Sequence, residues 1–293
     1  IEMSNELAIA TERGQSMAEL MGVSAAPKQQ STPSVARVGM IHQPIMGERV
    51  FGGEAIKTEV VPVGAFTLMQ GDDKVYSNGV TLRIFAQRNQ WQRWNSETEE
   101  MEKSVMSNSL NGDMKDSIGG FNLGRPTGYV EDFQALPEAT KQIMRSVKRV
   151  KVFFGTITLD NPVDDKGEAV KGNFTDVPVV MDVKNRDSLK SIDNVLNGLG
   201  RKNLLPIMST IKLIGVEDSI PTGAKFGKIE AKLGTAVDLD DNDSDTLKDF
   251  IDLVEYMNGK VLDLHNERGD KGFSAEDASV VSDILNNDFI EVE

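Results

Sequence analysis

Alternation of apolar and polar positions dominates the chain after residue 36 and predicts strands at Val38 to Ile45, Ala55 to Met69, Val80 to Trp94, Val150 to Leu159, Val177 to Val183, Leu204 to Leu213 and Gly227 to Leu233. Two segments keep a helical period instead. Pro137-Glu138 opens one through about Lys148, with Pro in the first turn, and Arg186 to Leu199 places Leu189, Ile192, Val195, Leu196 and Leu199 on one side before Gly200. Ser77-Asn78-Gly79, between Val75-Tyr76 and Val80, predicts a hairpin. The stretch Asn108 to Gly128 is too long and polar for a simple connector, and such loops often carry ligands. Past Ala236, Leu247, Phe250, Ile251, Val254 and Met257 predict a short amphipathic helix, and Ser274 with Asp277 starts a second through about Leu285.

These patterns divide the chain into three parts: an N-terminal helix and flexible leash over 1–36, a β-rich body over 37–236, and an acidic, part-helical tail over 237–293. The expected class is mainly β (α+β), an OB-like barrel core with a few helices. Met3 reads as the start, with Ile1-Glu2 as upstream read-through.

Charge follows the same division. The net charge is −14, but residues 237–293 hold 4 basic and 17 acidic side chains, leaving 28 and 29 in residues 1–236. The body is thus nearly neutral and need not repel a polyanion. Cysteine is absent and His42 and His265 are the only histidines, which excludes disulfides and thiolate metal sites and leaves little for a histidine-based triad. No phosphate-loop motif occurs, and Asp241, Asp243 and Asp245 imitate an EF-hand but lack its Gly and final Glu. No catalytic residue, cofactor or metal is expected. Without an 18-residue apolar run or a basic leader, the expected setting is cytoplasmic, with no membrane partner.

The strongest chemical signal is Thr81 to Trp94, which holds both tryptophans and three arginines. Strand alternation would put Arg83, Phe85, Gln87, Asn89, Trp91 and Arg93 on one face and Leu82, Ile84 and Ala86 on the other. Guanidinium groups beside flat aromatic rings suit single-stranded nucleic acid, whose bases stack while cations follow the phosphates. The bland alternative is a strand with core tryptophans and solvated arginines. A second basic group, Lys141, Arg145, Lys148, Arg149 and Lys151, is also what a helix C-terminus favours electrostatically. Between them the glycine-rich Gly119 to Tyr129 would let Arg125 and Tyr129 clamp a ligand. Candidate nucleic-acid-binding residues are therefore Arg83, Phe85, Arg88, Trp91, Arg93, Trp94, Arg125, Tyr129, Lys148 and Arg149.

A β-rich body with an Arg/Trp strand, no catalytic constellation, and an acidic C-terminal segment with Phe289-Ile290 near its end resembles single-stranded DNA-binding proteins, particularly those of bacteriophages. The resemblance implies an OB-fold that grips and protects single-stranded DNA during replication and recombination, in the host cytoplasm. It also implies an acidic tail that competes with DNA and docks replication or recombination proteins, here through Asp288, Phe289, Ile290 and Glu291. The chain departs from many relatives in its part-helical tail and in ending on Glu291-Val292-Glu293. A homo-oligomer is compatible with this reading. The alternative is a phage structural or scaffold-type interaction protein, and an enzyme, at most a magnesium-dependent nuclease, ranks last.

Overall fold

A computed structural model describes residues 35–269. The N-terminal helix and leash, the second tail helix and the candidate docking residues Asp288 to Glu291 lie outside the described residues. Eleven strands and three helices follow in the order β1 (Ala36–Met40), β2 (Ile45–Phe51), β3 (Glu54–Val61), β4 (Phe66–Gln70), β5 (Asp73–Ser77), β6 (Gly79–Asn95), β7 (Glu100–Lys103), α1 (Glu138–Ser146), β8 (Lys148–Leu159), β9 (Val177–Val183), α2 (Arg186–Arg201), β10 (Ser209–Ser219), β11 (Lys225–Ala236) and α3 (Asp241–Gly269).

Nine strands form one sheet in the order β11-β10-β6-β8-β9-β1-β4-β5, with β7 paired to the far end of β6; β2 and β3 form a separate hairpin. β1 and β9 run parallel and every other pair is antiparallel. The class is mainly β, but the sheet is open and mixed, which corrects the expectation of an OB-like barrel. Its β1–β4 side meets β10 and β11 through glycine backbone rather than a ladder. A β-carbon on Gly215 would overlap the Gly64 carbonyl oxygen, and one on Gly227 would stand 2.7 Å from Gly64 Cα. The Gly227 N–H donates to His42 Nδ1 beside this contact, at 3.2 Å.

The hairpin expected at Ser77-Asn78-Gly79 does not form. β5 pairs with β4, while β6 pairs with β8 and β10. A type I′ turn needs positive φ at both central residues, and neither Asn78 nor Gly79 adopts it; Gly71 does, at the β4–β5 turn. Ser77 Oγ instead donates to the Gly79 and Asp160 carbonyls and holds a corner.

Both faces of β8 are buried, so its apolar run serves two cores. Phe153 and Ile157 join Phe66, Leu82, Ile84, Ile211 and Leu213 beneath α2, which contributes Ile192 and the flanking Leu189, Val195 and Leu196. Asn185 caps α2 by accepting from the Ser188 N–H, and the hydroxyls of Ser188 and Ser191 accept the Ile229 and Ala231 N–H groups of edge strand β11. On the other face Val150, Val152, Phe154 and Val180 meet Phe250, Leu253 and Val254 of α3.

The acidic segment is therefore, through Gly269, part of the body. Where the pattern predicted a short helix near residues 247–257, one helix of 29 residues runs across the sheet. Asp240 and Asp243 cap it reciprocally: Asp240 Oδ1 accepts the Asp243 N–H and Asp243 Oδ2 accepts the Asp240 N–H, both at 3.0 Å. Farther along, Asn258 donates to the Met106 carbonyl and accepts its N–H. No described helix is long and apolar enough to cross a membrane.

Candidate nucleic-acid interface

The geometry of β6 turns on a β-bulge. Ile84 stands opposite Gly155 and Ala86 opposite Phe154, which leaves Phe85 as the extra residue. A β-carbon on Gly155 would collide with the Arg83 carbonyl, so the bulge needs glycine on the facing strand. Because side-chain direction has period two, one extra residue exchanges the faces beyond it.

This corrects the expectation that Arg83, Phe85, Gln87, Asn89, Trp91 and Arg93 share a face. Before the bulge Leu82 and Ile84 point to the α2 core, and Arg83 points to α3. After it Ala86, Arg88, Gln90 and Gln92 are on the α3 side, while Gln87, Asn89, Trp91 and Arg93 are on the α2 side with their partners Phe153, Lys151 and Arg149. A single groove lined by Arg83, Arg88, Arg93 and Arg125 is excluded, since the first two and Arg93 lie on opposite sides.

Arg83 is a structural residue here. It donates to both carboxylate oxygens of Asp243 at 2.7 and 2.8 Å and to the Ile207 carbonyl at 2.8 Å, and it lies 5.1 Å from the Phe85 ring centroid. The guanidinium holds the Asp243 carboxyl below the usual carboxylate range. Phe85 itself packs on Phe250, centroid to centroid 5.6 Å. Arg88 lines a cavity of about 350 Å³ with Phe85, Asn108, Leu247 and Ile251 and donates only to the Gln87 carbonyl. Lys148, opposite Gln92, and Trp94, opposite Met101, follow on the same α3 side, and Trp94 is 57% exposed.

The α2 side of the far half of β6 and β8 gathers the remaining candidates. Trp91 is half-buried, and the Arg125 guanidinium lies over its ring, 4.7 Å from the centroid. Arg125 donates to the Met144 carbonyl at 3.0 Å, and burial lowers its pKa. The indole Nε1 of Trp91 is buried and makes no hydrogen bond. Arg149 is exposed and donates from Nε and Nη2 to Asn89 Oδ1, at 3.3 and 3.0 Å. Two other cations there are neutralised, Arg93 by Glu102 and Lys151 by Asp193, each at 2.6 Å. Lys141 and Arg145 both meet Glu138 within α1. Among the described residues neither Arg125 nor Arg149 has a carboxylate within 4.0 Å.

The glycine-rich loop that supplies Arg125 is held from within. Buried Asp116 accepts the N–H groups of Ile118, Gly120 and Leu123, and buried Asn122 accepts the Met114 N–H while donating to the Gly112 carbonyl and Thr127 Oγ1. Such internal bonding sets the loop's shape independently of a ligand. Gly119, at φ 88°, abuts the backbone at the end of α3. Tyr129 stands 92% exposed and Phe121 51% exposed, the latter edge-on to His265 at 5.8 Å. Sequence reasoning missed the anchors Glu102, Asp193 and Asp243, whose partners lie 9 to 160 residues away.

The site thus offers an aromatic ring under one guanidinium and a second, exposed guanidinium, neither with a carboxylate within 4.0 Å among the described residues, and the exposed ring of Tyr129 on the loop that supplies Arg125. No protein family, curated protein or solved structure matches this chain.

Proposed function

We propose that the protein binds single-stranded nucleic acid, without sequence preference and without catalysis, on the α2-side face that carries Trp91, Arg125 and Arg149. The observation that carries this reading is the Trp91–Arg125 stack beside Arg149, two cations without carboxylate partners among the described residues. A base that stacks on such a platform gains about 1–3 kcal/mol, and the guanidinium groups neutralise adjacent phosphates. Tyr129, four residues after Arg125 and 92% exposed, adds a ring on which a further base can stack. In this reading the protein protects single-stranded DNA in replication and recombination, and acidic residues beyond Gly269 compete with the strand and dock partner proteins.

The experiment is titration of a fluorescent poly-deoxythymidine oligonucleotide at two salt concentrations, with the emission of Trp91 and Trp94 separated by Trp91→Phe and Trp94→Phe variants. Quenching of Trp91, a steep salt dependence, and a loss of about 5- to 150-fold in affinity for Arg125→Ala are expected. Absence of binding at low salt overturns the reading. The competing one, a scaffold-type interaction protein, draws on the β2–β3 hairpin, which exposes Met46, Val50 and Ile56. A stable self-assembly seen by light scattering, with tryptophan emission indifferent to oligonucleotide, would favour it.

A further inference from the structure

The opposite, α3-side face of the sheet holds a cationic group that the Trp91 face does not use. On β7, Lys103 stands opposite Gln92, whose other neighbour is Lys148 of β8. Gln92 Nε2 donates to Asp182 Oδ2 at 3.2 Å, and Arg37 Nη1 lies 3.9 Å from the same oxygen. Lys184 follows β9 directly, and it lines an opening of about 340 Å³ together with Arg37 and Asp182 that reaches His42 and the start of α2 at Asn185 and Ser188. Arg37 and Lys184 are exposed, whereas Asp182 is largely covered.

Asp182 is a single carboxylate among three cations. Lys103 has no carboxylate within 4.0 Å among the described residues. Burial, then Arg37 and Lys184 as like charges, hold its ammonium below the usual lysine pKa, while Asp182 offsets them in part. Folding against such repulsion costs stability, and an oxyanion would offset that cost.

We propose that Arg37, Lys103 and Lys184 form an oxyanion site that takes a phosphoryl group. Its source is either a backbone phosphate of the bound strand, which rests on the function proposed above, or a free phosphate species, which does not. Asp182 positions Arg37 and Gln92 at the site's floor and limits the net charge there.

The test uses the full chain. Thermal unfolding is followed while inorganic pyrophosphate is titrated at constant ionic strength against sodium chloride, for the wild type, Lys103→Met and the exposed variant Lys184→Ala. The wild type should gain thermal stability with pyrophosphate beyond the chloride control. Lys103→Met should start from a higher midpoint, because a repelled charge is gone, and should need at least about fivefold more pyrophosphate for the same shift; Lys184→Ala should weaken the response without lowering the starting midpoint. Salt dependence of oligonucleotide binding then separates the sources: loss of about 0.7 from the slope in Lys103→Met assigns the site to a strand phosphate. An unchanged slope with an intact pyrophosphate response assigns it to a free phosphate species. A pyrophosphate response that depends on Lys103, in a protein that binds no oligonucleotide, upholds the site and overturns the strand-binding function. A wild type that responds equally to pyrophosphate and chloride, or a Lys103→Met protein with the wild-type response, overturns the site.

Discussion

Ending the chain at Ala236 instead of at Gly269 tests whether the acidic segment is an appendage or a layer of the fold. α3 brings Phe250, Leu253, Val254 and Val261 to exposures of 3, 7, 4 and 7%. At about 1.5–3 kcal/mol for each fully buried side chain, their removal forfeits about 6–12 kcal/mol, an upper bound because an unfolded chain already shields some apolar surface. That is as large as the whole stability of many domains. The cut also uncovers Val150, Val152, Phe154 and Val180 on the sheet and leaves Arg83 without its carboxylate. The two truncated proteins are compared with the full chain by urea unfolding, followed by circular dichroism and tryptophan emission, and by dye binding to apolar surface. The chain ending at Gly269 should unfold cooperatively with the full-length midpoint and slope; the chain ending at Ala236 should aggregate or bind dye with no cooperative transition. If the shorter protein unfolds with an unchanged midpoint and slope, α3 does not hold the sheet and the argument fails.

Asp243→Ala strands the Arg83 guanidinium, at 16% side-chain exposure, and should cost about 3–5 kcal/mol, whereas Arg83→Met combined with Asp243→Leu should recover much of it in denaturant unfolding. Since the folded pKa of Asp243 is lowered from 3.8, its contribution is present above that pH and disappears as pH falls through the folded value; an acid titration of Asp243→Asn should show a flatter limb than the wild type. Lys103 has the opposite sign: its pKa is lowered from 10.5 by burial and by Arg37 and Lys184, with Asp182 opposing, so stability should rise as pH climbs through the folded value towards 10.5, and Lys103→Met should lose that rise. Gly215→Ala should cost about 3 kcal/mol by driving a methyl into the Gly64 carbonyl, while Gly198→Ala, in open space on α2, should stabilise by about 0.5–1 kcal/mol; equal midpoints for the two proteins would refute the close backbone contact between Gly64 and β10.

Local chemistry made some of this structure readable in advance. The apolar stripe Leu189 to Leu199 is the face α2 buries, and the runs at Val150 to Leu159 and Val177 to Val183 are strands because both faces meet a core. Nonlocal geometry decided the rest. Nothing within β6 marks Phe85 as an extra residue; the cue is Gly155 in the middle of an otherwise bulky strand some 70 residues later. Asn78-Gly79 has the composition of a tight hairpin, but the two strands paired with the start of β6, β8 and β10, both come from far along the chain. The aspartates at 241, 243 and 245 resembled metal ligands on spacing alone, whereas Asp243 closes a helix cap and clamps Arg83. Of the ten candidate binding residues, Trp91, Arg93, Arg125 and Arg149 come together on the α2 side, and Arg93 is occupied by Glu102.

The same geometry changes how acidity can act on a bound strand. Of the 17 acidic residues after Ala236, 10 lie within 237–269, on α3 and its lead-in, and 7 lie beyond. Carboxylates fixed on a helix that also fills a core cannot swing across to Trp91 and back, because release would expose Phe250 and its neighbours. They act as a standing field that disfavours a polyanion on the α3 surface outside the cluster of Arg37, Lys103 and Lys184, while the cation pair Arg125 and Arg149 faces the other way. Under the proposed function, competition with nucleic acid would fall to residues 270–293, with 1 basic and 7 acidic side chains. A protein ending at Gly269 should therefore bind oligonucleotide more tightly than the full chain at low salt, with the difference fading as salt screens it, because the charge on α3 stays in place in both proteins.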